Sequence, residues 1–275
     1  RIKNPKEKLD FQQLLATTEP ATKKKLAELF LKHYPRSWML AQAYEIAAKG
    51  AIEVAWWTLQ SSITRTPLHE LLGGKPRDIL AGADFGIQDS IDMLLGNVQK
   101  AVEDGFPRVK LKVAKGWDIE VIKAVTSTFP KTTFHIDCNA GYTLDDLPFF
   151  REIDDLGLAF IEQPLHHTDI IDHADLAKQI GTPICLDETI VDPHTAEQAI
   201  RIGACHYINI KPGRIGGLQN ALTVHNLAHD AGIPVWIGGM LESSVGGAIC
   251  VELSTLHNCS YPGDLFPSSR FSKRD

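Results

Sequence analysis

The sequence has few cysteines, no long apolar run and no surplus of basic residues. Its five cysteines form no CxxC pair, which argues against a zinc knuckle or a disulfide framework and favours a reduced, cytoplasmic protein. No apolar segment has the length of a membrane span, and no apolar signal segment follows the basic first ten residues. Lys and Arg number 28 against 34 Asp and Glu, a net charge of -6. This balance argues against nucleic acid or an anionic membrane as partner and favours a small-molecule ligand.

The composition changes about a quarter of the way along the chain. Residues 1–75 contain two segments, 21–34 and 39–60, in which apolar residues recur at the three- and four-residue spacing of helices. From residue 76 onward, short apolar runs alternate with amphipathic segments, which is typical of strand–helix units around a parallel sheet. The chain begins without Met and stops without a tail signal, so we expect a fragment of a longer protein.

Eight short apolar runs are candidate strands. They lie at 79–86, 108–113, 133–139, 158–164, 183–188, 207–212, 234–240 and, more weakly, 259–265. Candidate helices lie at 90–105, 118–129, 172–181, 195–203 and 218–232. Eight strands alternating with helices favour a closed α/β barrel. A doubly wound open sheet is the alternative, but no GxGxxG turn supports it.

Five consecutive candidate strands each have one polar residue near their end. These residues are Lys112, Asp137, Glu162, Asp187 and Lys211, separated by 25, 25, 25 and 24 positions. In a barrel the carboxyl ends of neighbouring strands converge on one mouth, where barrel enzymes place their chemistry. The spacing therefore predicts that the five side chains form one ring.

Three carboxylates in such a ring predict a metal ion. Like charges raise each other's pKa, so three neighbouring acids stay ionised only with a cation between them. A set of oxygen ligands without His or Cys favours Mg²⁺, with Mn²⁺ as a substitute, over zinc. The alternative is that each acid only caps the helix that follows it.

The strand RVKLKV places Lys110 and Lys112 on one face. A half-exposed strand with both lysines toward solvent is the simple interpretation. In a barrel that face is the lumen, where a neutral lysine amine can remove a proton next to a carboxylate. Lys110 and a metal ion would then lower the pKa of the Lys112 amine toward neutrality.

Six motifs together resemble a known family. They are KLK at 110–112, DCN at 137–139, IEQP at 161–164, LDE at 186–188, NIKPGRIGG at 209–217 and GGMLES at 238–243. This set is similar to the muconate-lactonizing subgroup of the enolase superfamily, and within it to the o-succinylbenzoate synthases and N-acylamino acid racemases. The resemblance covers about residues 40–275.

The resemblance implies a fold and a role for each residue of the site. The fold is an α+β capping domain followed by a (β/α)7β barrel, so residues 1–75 would be the helical remainder of the cap and residues 76–275 the barrel. Cap strands, a lid loop and a C-terminal tail would lie outside this chain. The metal ligands would be Asp137, Glu162 and Asp187, with Lys112 as the base and Lys211 on the opposite face of the substrate. Supporting or substrate-binding roles would fall to Lys110, Asn139, Glu188, Arg214, Gly239, Met240 and Glu242.

The implied function is Mg²⁺-dependent removal of an α-proton from a small carboxylate substrate. The main expectation is o-succinylbenzoate synthesis for menaquinone, and the alternative is racemisation of N-succinylamino acids by two lysines. More distant alternatives are a Schiff-base aldolase using Lys211 and an inactive binding barrel. A homo-oligomer is expected from the resemblance. Asp84 departs from the family pattern, because a small hydroxyl residue is expected at the end of the first strand.

Overall fold

The computed structural model describes residues 38–270, and for residues 38–48 it describes the backbone alone. The predicted helix at 21–34 lies outside the described residues. Within the described range, the residues from Lys49 onward belong to one compact unit. The predicted division between cap and barrel at residue 75 stays a prediction. No helix in the described range is both long and apolar enough to cross a membrane.

Seven parallel strands form one sheet in which each strand pairs with its neighbours in sequence. They are β1 (Ala83–Phe85), β2 (Arg108–Lys112), β3 (Thr133–Asp137), β4 (Ile161–Glu162), β5 (Ile184–Leu186), β6 (Tyr207–Ile210) and β7 (Val235–Ile237). All seven lie within predicted strands. The parallel order confirms the barrel-type fold class and removes the doubly wound alternative, which would reverse the strand order.

The predicted eighth strand closes the sheet through isolated bridges instead of a regular strand. Gly238 pairs with Asp264 on one side, and Ala81 pairs with Gly263 on the other. The Gly82 amide donates to the Gly263 carbonyl at 2.9 Å, and the Gly263 amide donates to the Leu80 carbonyl at 3.0 Å. Pro262 lacks an amide hydrogen, so a continuous ladder cannot form here.

Helices separate the strands. They are α1 (Trp38–Thr64), α2 (Leu68–Leu71), α3 (Ile91–Glu103), α4 (Ile119–Thr128), α5 (Leu147–Ile153), α6 (Ile170–Ala177), α7 (Pro193–Ile202), α8 (Pro212–Ile215), α9 (Leu218–Asp230) and α10 (Ser244–Ser254). The sequence did not predict α2, α5, α8 or α10. Three of these helices are short, and α10 contains two consecutive glycines that weaken its helical pattern.

Aromatic side chains fill the barrel below the carboxyl ends of the strands. Phe160 and Trp236 are fully buried, and Tyr207 and Tyr261 pack against them. The buried His135 joins this layer through a 2.9 Å hydrogen bond between its Nδ1 and the Tyr261 hydroxyl. This closed floor leaves the polar strand ends above it as the accessible part of the lumen.

Candidate active site

Strand register brings the predicted ring residues together. Lys112 pairs laterally with Asp137, and Asp137 pairs with Glu162, so the 25-residue spacing is the distance between direct neighbours. Glu162 pairs with Cys185, which places Asp187 two residues higher along the next strand. Lys211 directly follows β6. All five side chains therefore stand at the carboxyl end of the sheet.

The two lysines of β2 point into the barrel. Lys110 is 2% exposed, so the interpretation that both lysines face solvent is wrong for this residue. Its Nζ lies 2.8 Å from Asp264 Oδ2, 3.0 Å from Glu162 Oε2 and 3.2 Å from Asp137 Oδ2. Lys112 lies two residues closer to the carboxyl end of β2, and its Nζ donates to Asp137 Oδ2 at 2.7 Å and to Asn139 Oδ1 at 2.8 Å. Burial opposes the charged form of Lys110, but the surrounding carboxylates outweigh it and hold the pKa well above its ordinary value.

The three predicted ligand carboxylates are fully buried, and each faces a cationic side chain. Burial raises the pKa of Asp137, but the charges of Lys110 and Lys112 outweigh it and hold the pKa well below the usual range. Burial, followed by the charge of Asp137, raises the pKa of Glu162. The Asp187 carboxylate accepts hydrogen bonds from Lys211 Nζ at 2.8 Å and from the Arg214 guanidinium.

Lys211 carries the charge expected of an amine beside carboxylates. Burial lowers its pKa, but the charges of Asp187 and Glu162 outweigh burial and raise the pKa above its ordinary value. A neutral Lys211 therefore requires that another cation compensate these carboxylates.

The donor atoms fit a hard divalent cation, although they are turned toward lysines. Across residues 38–270, no three His, Cys, Asp or Glu side chains stand close enough to hold one ion as they are placed. The carboxylates contact basic side chains instead: Lys110 lies against both Asp137 and Glu162, and Lys211 and Arg214 lie against Asp187. Glu162 Oε2 is buried and makes no hydrogen bond, although it lies within 3.0 Å of Lys110 Nζ. An oxygen-only set from three adjacent strands suits Mg²⁺ in chemistry.

A hydrogen-bond chain runs from Lys112 to the end of β5. Asn139 accepts from Lys112 and donates through Nδ2 to Glu188 Oε1 at 3.0 Å. Asn139 has a left-handed backbone conformation with φ of 42°, and its backbone N–H donates to Asp137 Oδ1 at 2.9 Å. Burial, followed by the charges of Asp187 and Asp137, raises the pKa of Glu188 to about 7. The structure thus places Asn139 between the predicted base Lys112 and Glu188, and its backbone also contacts the predicted ligand Asp137.

A cavity of about 240 Å³ lies above the ring. Lys112 and Lys211 line it together with Asp84, Gly239 and Met240. Glu242 lines a neighbouring cavity of about 310 Å³, which shares Gly239 and Met240 with the first. Glu242 Oε1 accepts a hydrogen bond from the Met240 amide at 3.1 Å, so it shapes the turn after β7.

Three polar residues of the site were missed by the sequence argument. Asp264 is 3% exposed and pairs with both Lys110 and Arg108. Asn209 donates through Nδ2 to Glu162 Oε1 at 2.8 Å. Asp264 stands near the end of the predicted eighth strand, 259–265, so the strand-end pattern that singled out the five ring residues also points to it.

The third missed residue, Gln163, connects β4 to β5. Its Oε1 accepts from the Asp187 and Thr189 amides at 3.0 and 3.1 Å, and its Nε2 donates to the Leu165 carbonyl at 3.0 Å. Gln163 has a positive φ of 40°, which is costly for a residue other than glycine. These contacts fix the backbone on which Asp187 stands.

Known proteins share this fold and much of this sequence. A family model described as "Enolase C-terminal domain-like" matches residues 94–274. The N-succinylamino acid racemase of Thermus thermophilus is 42% identical over 228 residues, covering 83% of this chain and 62% of that protein. The o-succinylbenzoate synthase of Geobacillus kaustophilus is 43% identical over 228 residues, covering 83% of this chain and 61% of that protein. The chain spans about three fifths of the length of these two relatives. A crystal structure of an enolase-superfamily member from Enterococcus faecalis matches with a TM-score of 0.80 and 35% identity over 98% of this chain and 72% of that one.

Proposed function

Because the chain belongs to the enolase C-terminal domain-like family, we propose that it removes the α-proton of a carboxylate substrate with the help of Mg²⁺. One arrangement carries this proposal. Lys112 and Lys211 reach the same cavity from β2 and from the end of β6, and each donates to a different buried carboxylate. A proton acceptor on each side of a substrate and an anionic cradle below it suit carbon-acid chemistry.

Asp137, Glu162 and Asp187 would hold the Mg²⁺ ion. When bound, Mg²⁺ would supply positive charge that stabilises the second negative charge developing on the substrate carboxylate. Asn209 donates a hydrogen bond to Oε1 of Glu162, so Oε2, which makes no hydrogen bond and lies 3.0 Å from Lys110 Nζ, would be the oxygen that binds the ion. Mn²⁺ has similar ligand preferences and would be a substitute.

Lys112 would be the base in the main reaction, o-succinylbenzoate synthesis. The Lys112 amine takes the α-proton of 2-succinyl-6-hydroxy-2,4-cyclohexadiene-1-carboxylate and leaves an enolate. The adjacent carbon–oxygen bond then breaks, and the departing hydroxide takes that proton from Lys112 and leaves as water. Lys211 stabilises the enolate by its charge. Lys110, fully paired below, contributes a fixed positive charge to this field.

Positioning falls to the residues around the two lysines. Asn139 and Glu188 orient Lys112 through the hydrogen-bond chain described above. Arg214 donates to Oδ1 of Asp187 and Lys211 donates to Oδ2, so the two cations share this carboxylate. Gly239 and Met240 line the cavity on the β7 side and would contact the succinyl end of the substrate.

Racemisation of N-succinylamino acids is the second candidate, because Lys211 lines the cavity as directly as Lys112 does. In that reaction one lysine takes the α-proton and the other returns a proton from the opposite face. A relative at 42% identity has this activity as its name. A menaquinone role, a cytoplasmic location and a homo-oligomer remain part of the proposal.

Ultraviolet absorbance of the aromatic product tests the proposed function. We expect turnover of 2-succinyl-6-hydroxy-2,4-cyclohexadiene-1-carboxylate with Mg²⁺, and loss of turnover with EDTA and in Lys112→Ala. Turnover that is unaffected by the chelator would contradict the metal, and turnover in Lys112→Ala would contradict the base. If the ring substrate is inert while N-succinylamino acids exchange their α-proton in D₂O, racemisation is the function. Borohydride trapping of a Lys211 adduct would instead indicate a Schiff-base enzyme.

A further inference from the structure

Asp84 enters the catalytic cavity from the first strand. It pairs laterally with Lys110, and side chains at paired positions of neighbouring parallel strands share a face of the sheet. Lys110 points into the lumen, so Asp84 does as well. Its side chain lines the cavity of about 240 Å³ with Lys112 and Lys211. The carboxyl group therefore stands beside the two proposed proton-transfer residues.

The Asp84 carboxyl has an unused acceptor in this cavity. Its Oδ1 is buried and finds no hydrogen-bond partner within residues 38–270. Lys110 is the nearest cation by register, but its Nζ is committed to Asp264, Glu162 and Asp137 at 2.8, 3.0 and 3.2 Å. Burial raises the pKa of Asp84 above its ordinary value. A buried oxygen without a partner is costly in a folded protein, and a substrate donor would remove that cost.

We propose that Asp84 is a specificity-determining residue that accepts a hydrogen bond from an N–H group attached to the α-carbon of the substrate. This inference rests on the second candidate of the proposed function, the racemisation of N-succinylamino acids, whose substrates carry such an N–H group. Carboxylate and carbonyl oxygens of a substrate only accept hydrogen bonds, and an ionised Asp84 has no hydrogen to donate to them. An acceptor placed on a leaving hydroxyl would oppose its departure, because that oxygen must gain a proton. An amide N–H stays intact through α-proton transfer, so Asp84 can hold it at every stage.

Replacing the substrate N–H by oxygen isolates this hydrogen bond. N-acetylphenylalanine and the ester O-acetyl-3-phenyllactate differ at that one group. Their α-proton exchange in D₂O with Mg²⁺, followed by proton NMR, gives kcat/KM for each. We compare the protein with Asp84→Ala, which removes the acceptor, and with Asp84→Asn, which keeps one acceptor oxygen. Combining the substrate change with the residue change makes a double-mutant cycle, so the different acidities of the two compounds cancel.

The amide should be preferred over the ester by the unaltered protein, and Asp84→Ala should lose about 10-fold or more of that preference. Asp84→Asn should retain part of it. An amide-to-ester ratio that is the same in all three proteins would overturn the role of Asp84 while leaving the proposed function intact. If the unaltered protein exchanges neither compound, this inference fails, whereas the ultraviolet assay and the exchange of N-succinylamino acids still decide the proposed function. Thermal unfolding of each variant shows whether it is folded.

Discussion

Asp264 joins the closing segment of the barrel to two buried cations. Its Oδ1 lies 2.5 Å from Arg108 Nη2, and its Oδ2 lies 2.8 Å from Lys110 Nζ. Burial raises the pKa of Asp264, but the charges of Lys110 and Arg108 outweigh it and hold the pKa far below the usual range. Asp264→Asn keeps the shape of the side chain and removes its charge.

The loss of unfolding free energy in Asp264→Asn depends on which partners Lys110 and Arg108 keep. Removing one partner of a buried ion pair costs about 3–5 kcal/mol of unfolding free energy. Lys110 keeps Glu162 and Asp137, and Arg108 keeps its hydrogen bonds to the Pro262 and Ala83 carbonyls. We therefore expect the lower end, about 3 kcal/mol, which for a chain of this size lowers Tm by about 6–12 °C.

Circular dichroism during thermal unfolding measures this shift. Asp175→Asn is the matched control, because Asp175 pairs with Lys178 at 2.8 Å on the exposed surface and should leave Tm unchanged. A carboxyl whose pKa is depressed in the folded state stabilises the fold above its unfolded pKa, so the difference should be constant between about pH 6 and 8. A shift in Asp264→Asn that is no larger than in Asp175→Asn would refute the reasoning.

Two further predictions concern stability. A Cβ at residue 82 would lie 2.0 Å from Arg108 Nε. Gly82→Ala should therefore lower the unfolding free energy by about 1–3 kcal/mol, measured by urea titration. Gly96 lies within α3 and a Cβ there would meet no atom within 4 Å, so Gly96→Ala should raise the unfolding free energy slightly. Burial lowers the pKa of His225 below its ordinary value of 6.5, and its Nε2 accepts from the Asn258 amide at 3.2 Å. The unfolded chain then binds a proton that the folded chain refuses, so stability should fall as pH drops below about 6.5. The slope should be smaller in His225→Asn, and an equal slope would exclude this histidine as the cause.

The sequence predicted the sheet because its pattern is periodic. A polar residue near the end of each of five consecutive strands, β2 to β6, recurs at 24 or 25 positions, and the register makes the first three of them lateral neighbours. The convergence of Lys112, Asp137 and Glu162 follows from that repeat alone. The eighth strand was the weakest prediction, because Pro262 interrupts it and only isolated bridges form.

A periodic sequence pattern does not predict contacts between residues that are far apart in the chain. The pairing of Asp264 with Arg108 joins residues 156 positions apart, and its existence depends on closure of the barrel. The sequence also could not show that Lys110 would serve three carboxylates at once, or that Gln163 would adopt a positive φ to hold Asp187. These features depend on side-chain geometry in the closed lumen, which strand periodicity does not determine.

Stereospecific α-proton exchange is the most direct test that two lysines serve opposite faces of one metal-dependent site. Each enantiomer of an N-succinylamino acid is incubated in D₂O with Mg²⁺, and proton NMR follows the loss of the α-proton signal in Lys112→Ala and in Lys211→Ala. We expect each variant to exchange one enantiomer only, a different one in each case, and neither variant to exchange after EDTA. Exchange of the same enantiomer by both variants, or exchange that survives the chelator, would contradict a two-lysine, metal-dependent site.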